Sequence, residues 1–125
     1  MRHWLVGAGV SGMMGIGFGA FAAHSLARFG DPQMVDWVKT GASYQLWHAA
    51  ALAALAGWGE RFASPWIRLA AHGFFWGALI FAVSLYLLAA LHLRWLGAIT
   101  PIGGVVMILG WLSLAIAGWR QARSA

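Results

Sequence analysis

Charged residues are absent from blocks of this chain far longer than any helical or strand period. Residues 3–27, 40–59, 69–93 and 95–119 contain no Asp, Glu, Lys or Arg. About 20 apolar residues carry a helix across the hydrocarbon core of a bilayer, so each block has room for one crossing. The expected fold class is all-α: an integral membrane bundle of four transmembrane helices. It forms one domain over residues 1–125, with spans at about 4–27, 40–59, 66–90 and 101–119.

The residues between the blocks supply helix punctuation. Gly30 can close the first helix, and Asp31 can cap a new one with Pro32 in its first turn. A short amphipathic interfacial helix is expected from Pro32 to Lys39, with Met34, Val35 and Val38 towards lipid and Gln33, Asp36 and Lys39 towards water. Ser64-Pro65 and Thr100-Pro101 each pair an N-cap hydroxyl with a proline, which places the starts of the third and fourth helices near Pro65 and Pro101.

Composition excludes a soluble domain. Hydrophobic residues make up 62% of the chain and charged residues 9%, against about 25% charged in soluble proteins. The net charge of +5 comes from basic residues scattered singly at span ends, which is the placement of membrane anchors and not of a nucleic-acid surface. With no Cys, neither a disulfide framework nor a thiolate site is available. Arg2, Arg61, Arg68, Arg120 and Arg123 fall on the side of the termini, against Arg28, Lys39 and Arg94 on the other, which favours an N-in/C-in orientation. Six of the nine Trp residues (Trp4, Trp37, Trp58, Trp66, Trp95 and Trp119) stand near span ends, as headgroup-seeking rings do. Trp47, Trp76 and Trp111 lie deeper, as packing or lipid-facing residues.

Two local motifs fail on context. Ala20-Phe21-Ala22 resembles a signal-peptide cleavage site, but the apolar run before it is long for a secretory signal. Gly7-Ala-Gly9-Val-Ser-Gly12 spells a dinucleotide fingerprint, yet only six residues precede it and no βαβ unit surrounds it.

Gly7, Ser11, Gly15, Gly19 and Ala23 recur at spacing four and define a candidate helix-packing face, on which backbones can approach closely. This makes the first span the expected best-packed helix. Gly73 with Gly77, and Ala49 with Ala53 and Gly57, are shorter notches of the same kind.

Five His residues, His3, His24, His48, His72 and His92, lie within the uncharged blocks. Ionisable groups at membrane depth are costly and face the bundle interior or water. His3 and His92 are close enough to span ends to reach water, and His72 lies one turn from Arg68 near the side of the termini. In the half away from the termini, His24, Tyr44, Gln45, His48, Ser84 and Thr100 fall at comparable depth and form a candidate buried polar cluster. The plain reading is a hydrogen-bonded network that fixes helix register. The alternatives are a small-solute or proton path lined by His and Tyr, and metal or haem binding by His24 and His48. No carboxylate is predicted inside a span, so no hydrolytic triad is expected, and neither a catalytic residue nor a bound cofactor is assigned.

These residues resemble the YgdD-like family of small four-helix membrane proteins, a domain of unknown function. Four segments carry the resemblance: Gly19-Ala-Phe-Ala-Ala-His24; Thr40-Gly41 with Tyr44-Gln45 and His48; Ser84-Leu-Tyr86; and Gly97-Ala-Ile-Thr-Pro-Ile-Gly-Gly104 with Gly110-Trp111. Ala22, where that family usually has Gly, and Trp47, where it usually has Phe, depart from the pattern. The resemblance implies a multipass protein of the bacterial plasma membrane without an established activity, and it points to the same six polar positions. The expected role is non-enzymatic: a helix bundle that oligomerises or serves as an accessory subunit of a membrane complex, with the lipid bilayer as its surroundings.

Overall fold

The computed structural model describes residues 1–59, 61 and 64–124. Glu60, assigned by the sequence to the loop after the second span, lies outside the described residues. The described chain forms four helices: α1 (Arg2–Phe29), α2 (Pro32–Trp58), α3 (Pro65–Leu91) and α4 (Leu96–Ser124). Among the described residues, α1, α3 and α4 are long and apolar enough to cross a membrane. The fourth, α2, is as long as α3, but its polar side chains lower its hydropathy.

Caps set two of the starts. The Asp31 carboxylate accepts the Met34 backbone N–H at 2.8 Å, with Pro32 first in the helix. The Ser64 hydroxyl likewise accepts the Trp66 N–H at 3.2 Å. Each satisfies one of the N–H groups that a helix start leaves without an internal partner.

Four sequence expectations are corrected. The short interfacial helix is not a separate element, because Pro32 opens one helix of 27 residues that runs on to Trp58. Val38 is buried, and Met34 and Val35 pack against the core around Ala22, Leu26 and Tyr86 instead of facing lipid. Next, α4 does not start at Pro101. Leu96, Gly97 and Ala98 donate backbone bonds to Leu93, Arg94 and Trp95, and this tight lead-in starts the helix before the proline is reached. Thr100 then bonds back to the Leu96 carbonyl at 3.3 Å and caps nothing.

The third correction concerns the packing face of α1. Ser11 and Gly15 are buried, and a Cβ on Gly7 or Gly19 would meet Phe75 at 3.1 Å or Ala42 at 3.6 Å, so these four lie on the packed side and Ala23 alone is exposed. Residues at spacing four drift by about 40° per step on a helix of 3.6 residues per turn, so a five-member series rotates off its own contact line. The fully buried positions of α1 are Trp4, Ala8, Ser11, Gly15, Ala22 and Leu26. A π-helical turn at Ala22–Leu26 interrupts α1 just before its final α-helical turn, Ala27–Phe29.

Neighbouring helices run antiparallel. Trp4 at the start of α1 shares a core with Leu55 and Ala56 near the end of α2, Ile67 at the start of α3 and Ala117 late in α4. At the other end Leu26, Val38 and Ala89 meet. The closest approach joins α3 and α4. A Cβ on Gly73 would lie 2.6 Å from Gly110 Cα, and one on Gly103 would lie 2.5 Å from the Phe81 nitrogen. The best-packed helix is thus α3, and the expectation that α1 holds that place is overturned. Gly73 and Gly77 are used as a notch, whereas Ala53 and Gly57 face outwards. Lipid removes most of the hydrophobic drive between helices, so such contacts count through dispersion, at about 0.1–0.2 kcal/mol per atom pair.

Candidate functional site

The candidate polar residues resolve into three separate links between helices. In the first, Gln45 of α2 is completely buried and its Oε1 accepts the Tyr86 hydroxyl of α3 at 2.8 Å. Its Nε2 donates to the Met14 sulfur of α1 at 3.6 Å, so one amide ties three helices. Phe18 stacks on the Tyr86 ring with centroids 4.0 Å apart and covers the phenol from the α1 side.

The second link holds His48. Its Nδ1 lies 2.7 Å from the Tyr44 carbonyl, one turn back on α2, and its Nε2 lies 2.9 Å from the Trp111 indole nitrogen on α4. A carbonyl only accepts and an indole N–H only donates. The partners therefore set the tautomer: Nδ1 carries the proton and the Nε2 lone pair receives the indole N–H. Phe74 of α3 packs edge-on against the imidazole at 5.5 Å and lies 4.5 Å from Trp111.

Ser84 of α3 and Thr100 of α4 make the third link, with their hydroxyl oxygens 2.6 Å apart. Each hydroxyl also reaches a carbonyl of its own helix, Phe81 for Ser84 and Leu96 for Thr100.

Two candidates stand apart. His24 is exposed on the π-helical turn of α1 and enters none of these links. Tyr44 contributes its backbone carbonyl, while its ring is partly exposed and packs against Trp47 and Phe81. His24 and His48 therefore do not act on a common centre, and among the described residues no group of three or more His, Cys, Asp or Glu could hold a metal ion. Two residues outside the six candidates complete these links, Tyr86 and Trp111, both of which stand in segments that carry the family resemblance. Both place an N–H or O–H deep in an apolar helix, where hydrocarbon offers no partner, and that alone marks them as donors in search of an acceptor.

Comparison with known proteins adds identity to this geometry. The model of the family described as "Protein of unknown function (DUF423)" matches residues 18–104, most of the chain. The chain belongs to this family. Among its relatives, the UPF0382 inner membrane protein YgdD of Escherichia coli strain K12 is 34% identical over 98% of this chain and 93% of its own length. A UPF0382 membrane protein of Staphylococcus epidermidis is 40% identical over 94% of this chain and 95% of its own. One from Haemophilus influenzae is 35% identical over 96% of each. No solved structure matches. Together with its three long apolar helices, these relatives make this family member a multipass protein of the inner membrane. The family match takes in Gln45, His48, Ser84, Tyr86 and Thr100, and it stops short of Trp111.

Proposed function

We propose that this protein crosses the inner membrane four times, with both termini in the cytoplasm, and works as a non-enzymatic bundle that oligomerises or serves as an accessory subunit of a larger membrane complex. The observation that carries this reading is the use made of the buried polar groups. Among the described residues none is left without a partner, and the links of Gln45, His48 and Ser84 each tie one helix to another. Groups engaged in this way set register and angle, and they leave no nucleophile–base pair or open ligand set.

The fourth crossing is supported by the direction of the polar groups on α2. Gln45 and His48 are buried in the bundle, so part of the low hydropathy of that helix comes from its interior side, and the exposed Gln33, Asp36 and Lys39 that lower it further lie at its start. Orientation follows from the five basic residues on the side of the termini against three on the other. Association is supported by the outer surface of α1, where Gly9 and Gly17 have nothing within 4 Å of an added Cβ and leave the backbone open to a second helix.

The test is the molar mass of the protein in mild detergent, measured by light scattering, together with the identity of whatever co-purifies. A multiple of the chain mass, or a stoichiometric membrane partner, is the expected result. A strictly monomeric, partner-free species would remove the reading.

A further inference from the structure

We propose that an anionic phospholipid binds between α1 and α3 at the end of the bundle that holds the termini, with its phosphate beside Arg68 and His72 and an acyl chain lying along Val6 and Val10. Two cavities adjoin there. The upper one, about 220 Å³, is of mixed character, with Arg68, His72, His3 and Ser64 beside the apolar Met1, Trp4 and Ile67. The lower one, about 440 Å³, is a groove along Val6, Gly7, Val10, Phe75 and Trp76. His3, Trp4 and His72 border both, so a space that holds the basic and hydroxyl groups is followed along the bundle by an apolar one. A phosphate followed by a hydrocarbon tail has the same sequence of polarities.

The upper space suits an anion. Arg68 supplies a permanent charge, and His3 and His72 each supply ring N–H donors in either protonation state. The start of α3, a helix of 27 residues, adds the positive end of its dipole. The described carboxylates, Asp31 and Asp36, lie at the opposite end of the bundle, by the start of α2. Trp4 packs edge-on against His72 with ring centroids 4.8 Å apart and forms the wall shared by the two spaces. The lower space is open to lipid, because Val6 and Val10 face outwards. Its backbone floor is Gly7, from which an added Cβ would meet Phe75 at 3.1 Å. Basic pockets between membrane helices are the usual seats of anionic headgroups. The inference requires only that the chain lies in a bilayer, and it stands apart from the subunit role.

The experiment is native mass spectrometry of the full chain in mild detergent, after incubation with phosphatidylglycerol or with phosphatidylcholine. Phosphatidylglycerol should be retained about fivefold more, as expected for one added basic contact. The double variant Arg68→Gln/His72→Gln should lose that preference, and Arg94→Gln, at the other end, should keep it. Val10→Trp should reduce retention of either lipid by filling the groove. Equal retention of the two lipids, an unaffected double variant, or an equal loss with Arg94→Gln would overturn the proposal. Complete displacement of the lipid by millimolar inorganic phosphate would overturn the acyl-chain half and leave a free-anion site. Far-ultraviolet circular dichroism of each variant separates lost binding from lost folding.

Discussion

Replacing Gly103 by Ala adds one methyl group where the backbones of α3 and α4 meet. That carbon would sit 2.5 Å from the Phe81 nitrogen, 2.8 Å from Phe81 Cα and 2.8 Å from the Gly77 carbonyl oxygen. Carbon contacts settle at about 3.5–4.0 Å, and none of these three atoms belongs to a side chain that can rotate away. The two helices must therefore separate by about 1 Å along their tightest stretch. Overpacking of this kind costs about 1–3 kcal/mol, and the better helix propensity of Ala returns up to about 1 kcal/mol. The net loss is then about 0–3 kcal/mol, centred on about 1.5 kcal/mol, which is about a tenfold change in the ratio of folded to unfolded protein. Gly104, the next residue, is the control, since a Cβ there meets nothing within 4 Å. Its Ala variant should be neutral or more stable. Reversible unfolding in mixed micelles with increasing dodecyl sulfate, followed by tryptophan fluorescence and circular dichroism, measures both. Gly103→Ala and Gly104→Ala of equal stability would refute the backbone seam.

Further outcomes follow from the polar links and the topology. Gln45→Leu strands the buried Tyr86 hydroxyl and should cost about 1–3 kcal/mol, and adding Tyr86→Phe should recover part of that loss in the same unfolding assay. Trp111→Phe removes the donor to His48 and should cost about 0.6 kcal/mol, the typical size of a hydrogen bond between membrane helices; a loss above about 3 kcal/mol would show that the indole has a larger packing role. Ser84→Ala should change stability by less than about 0.5 kcal/mol, because the Thr100 hydroxyl keeps its bond to the Leu96 carbonyl. Because the chain has no Cys, Arg94→Cys and Arg123→Cys each introduce a lone thiol. An impermeant maleimide applied to intact cells should label the first and spare the second, and labelling of both would overturn the four-crossing topology.

The parts of this fold that could be read in the sequence are those set by neighbours along the chain. Asp31-Pro32 and Ser64-Pro65 cap helices where expected, because an N-cap bond closes within three residues. Thr100-Pro101 spells the same motif and misleads, since the turn from Leu93 to Ala98 had already started the helix. At Pro32–Lys39 the polar residues suggested a separate surface helix, but nothing between Lys39 and Gly41 breaks the backbone, and the helix continues. For the polar residues, the charge-free blocks gave depth, and depth does not give direction around the helix. Gln45 and His48 lie deep and point inwards, whereas His24 sits on a π-helical turn and points out. Tyr86 and Trp111 stand in segments that carry the family resemblance, but their donor role is not legible there, because aromatic residues in a membrane helix serve equally well as packing and only their donor atoms set them apart.

The seam of Gly73, Gly77, Gly103 and Gly110 also bears on how the molecule can move. Where two helices touch backbone to backbone, there is no layer of side chains to change rotamer and absorb a sliding motion, so α3 and α4 behave mechanically as one beam. At Gly15, by contrast, the nearest atoms of α2 belong to the Leu46 side chain, and α1 carries the wider π-helical turn at Ala22–Leu26 before its last turn, Ala27–Phe29. Flexing of this bundle would therefore be borne by α1 as the moving member, with the α3–α4 pair as the frame against which it swings.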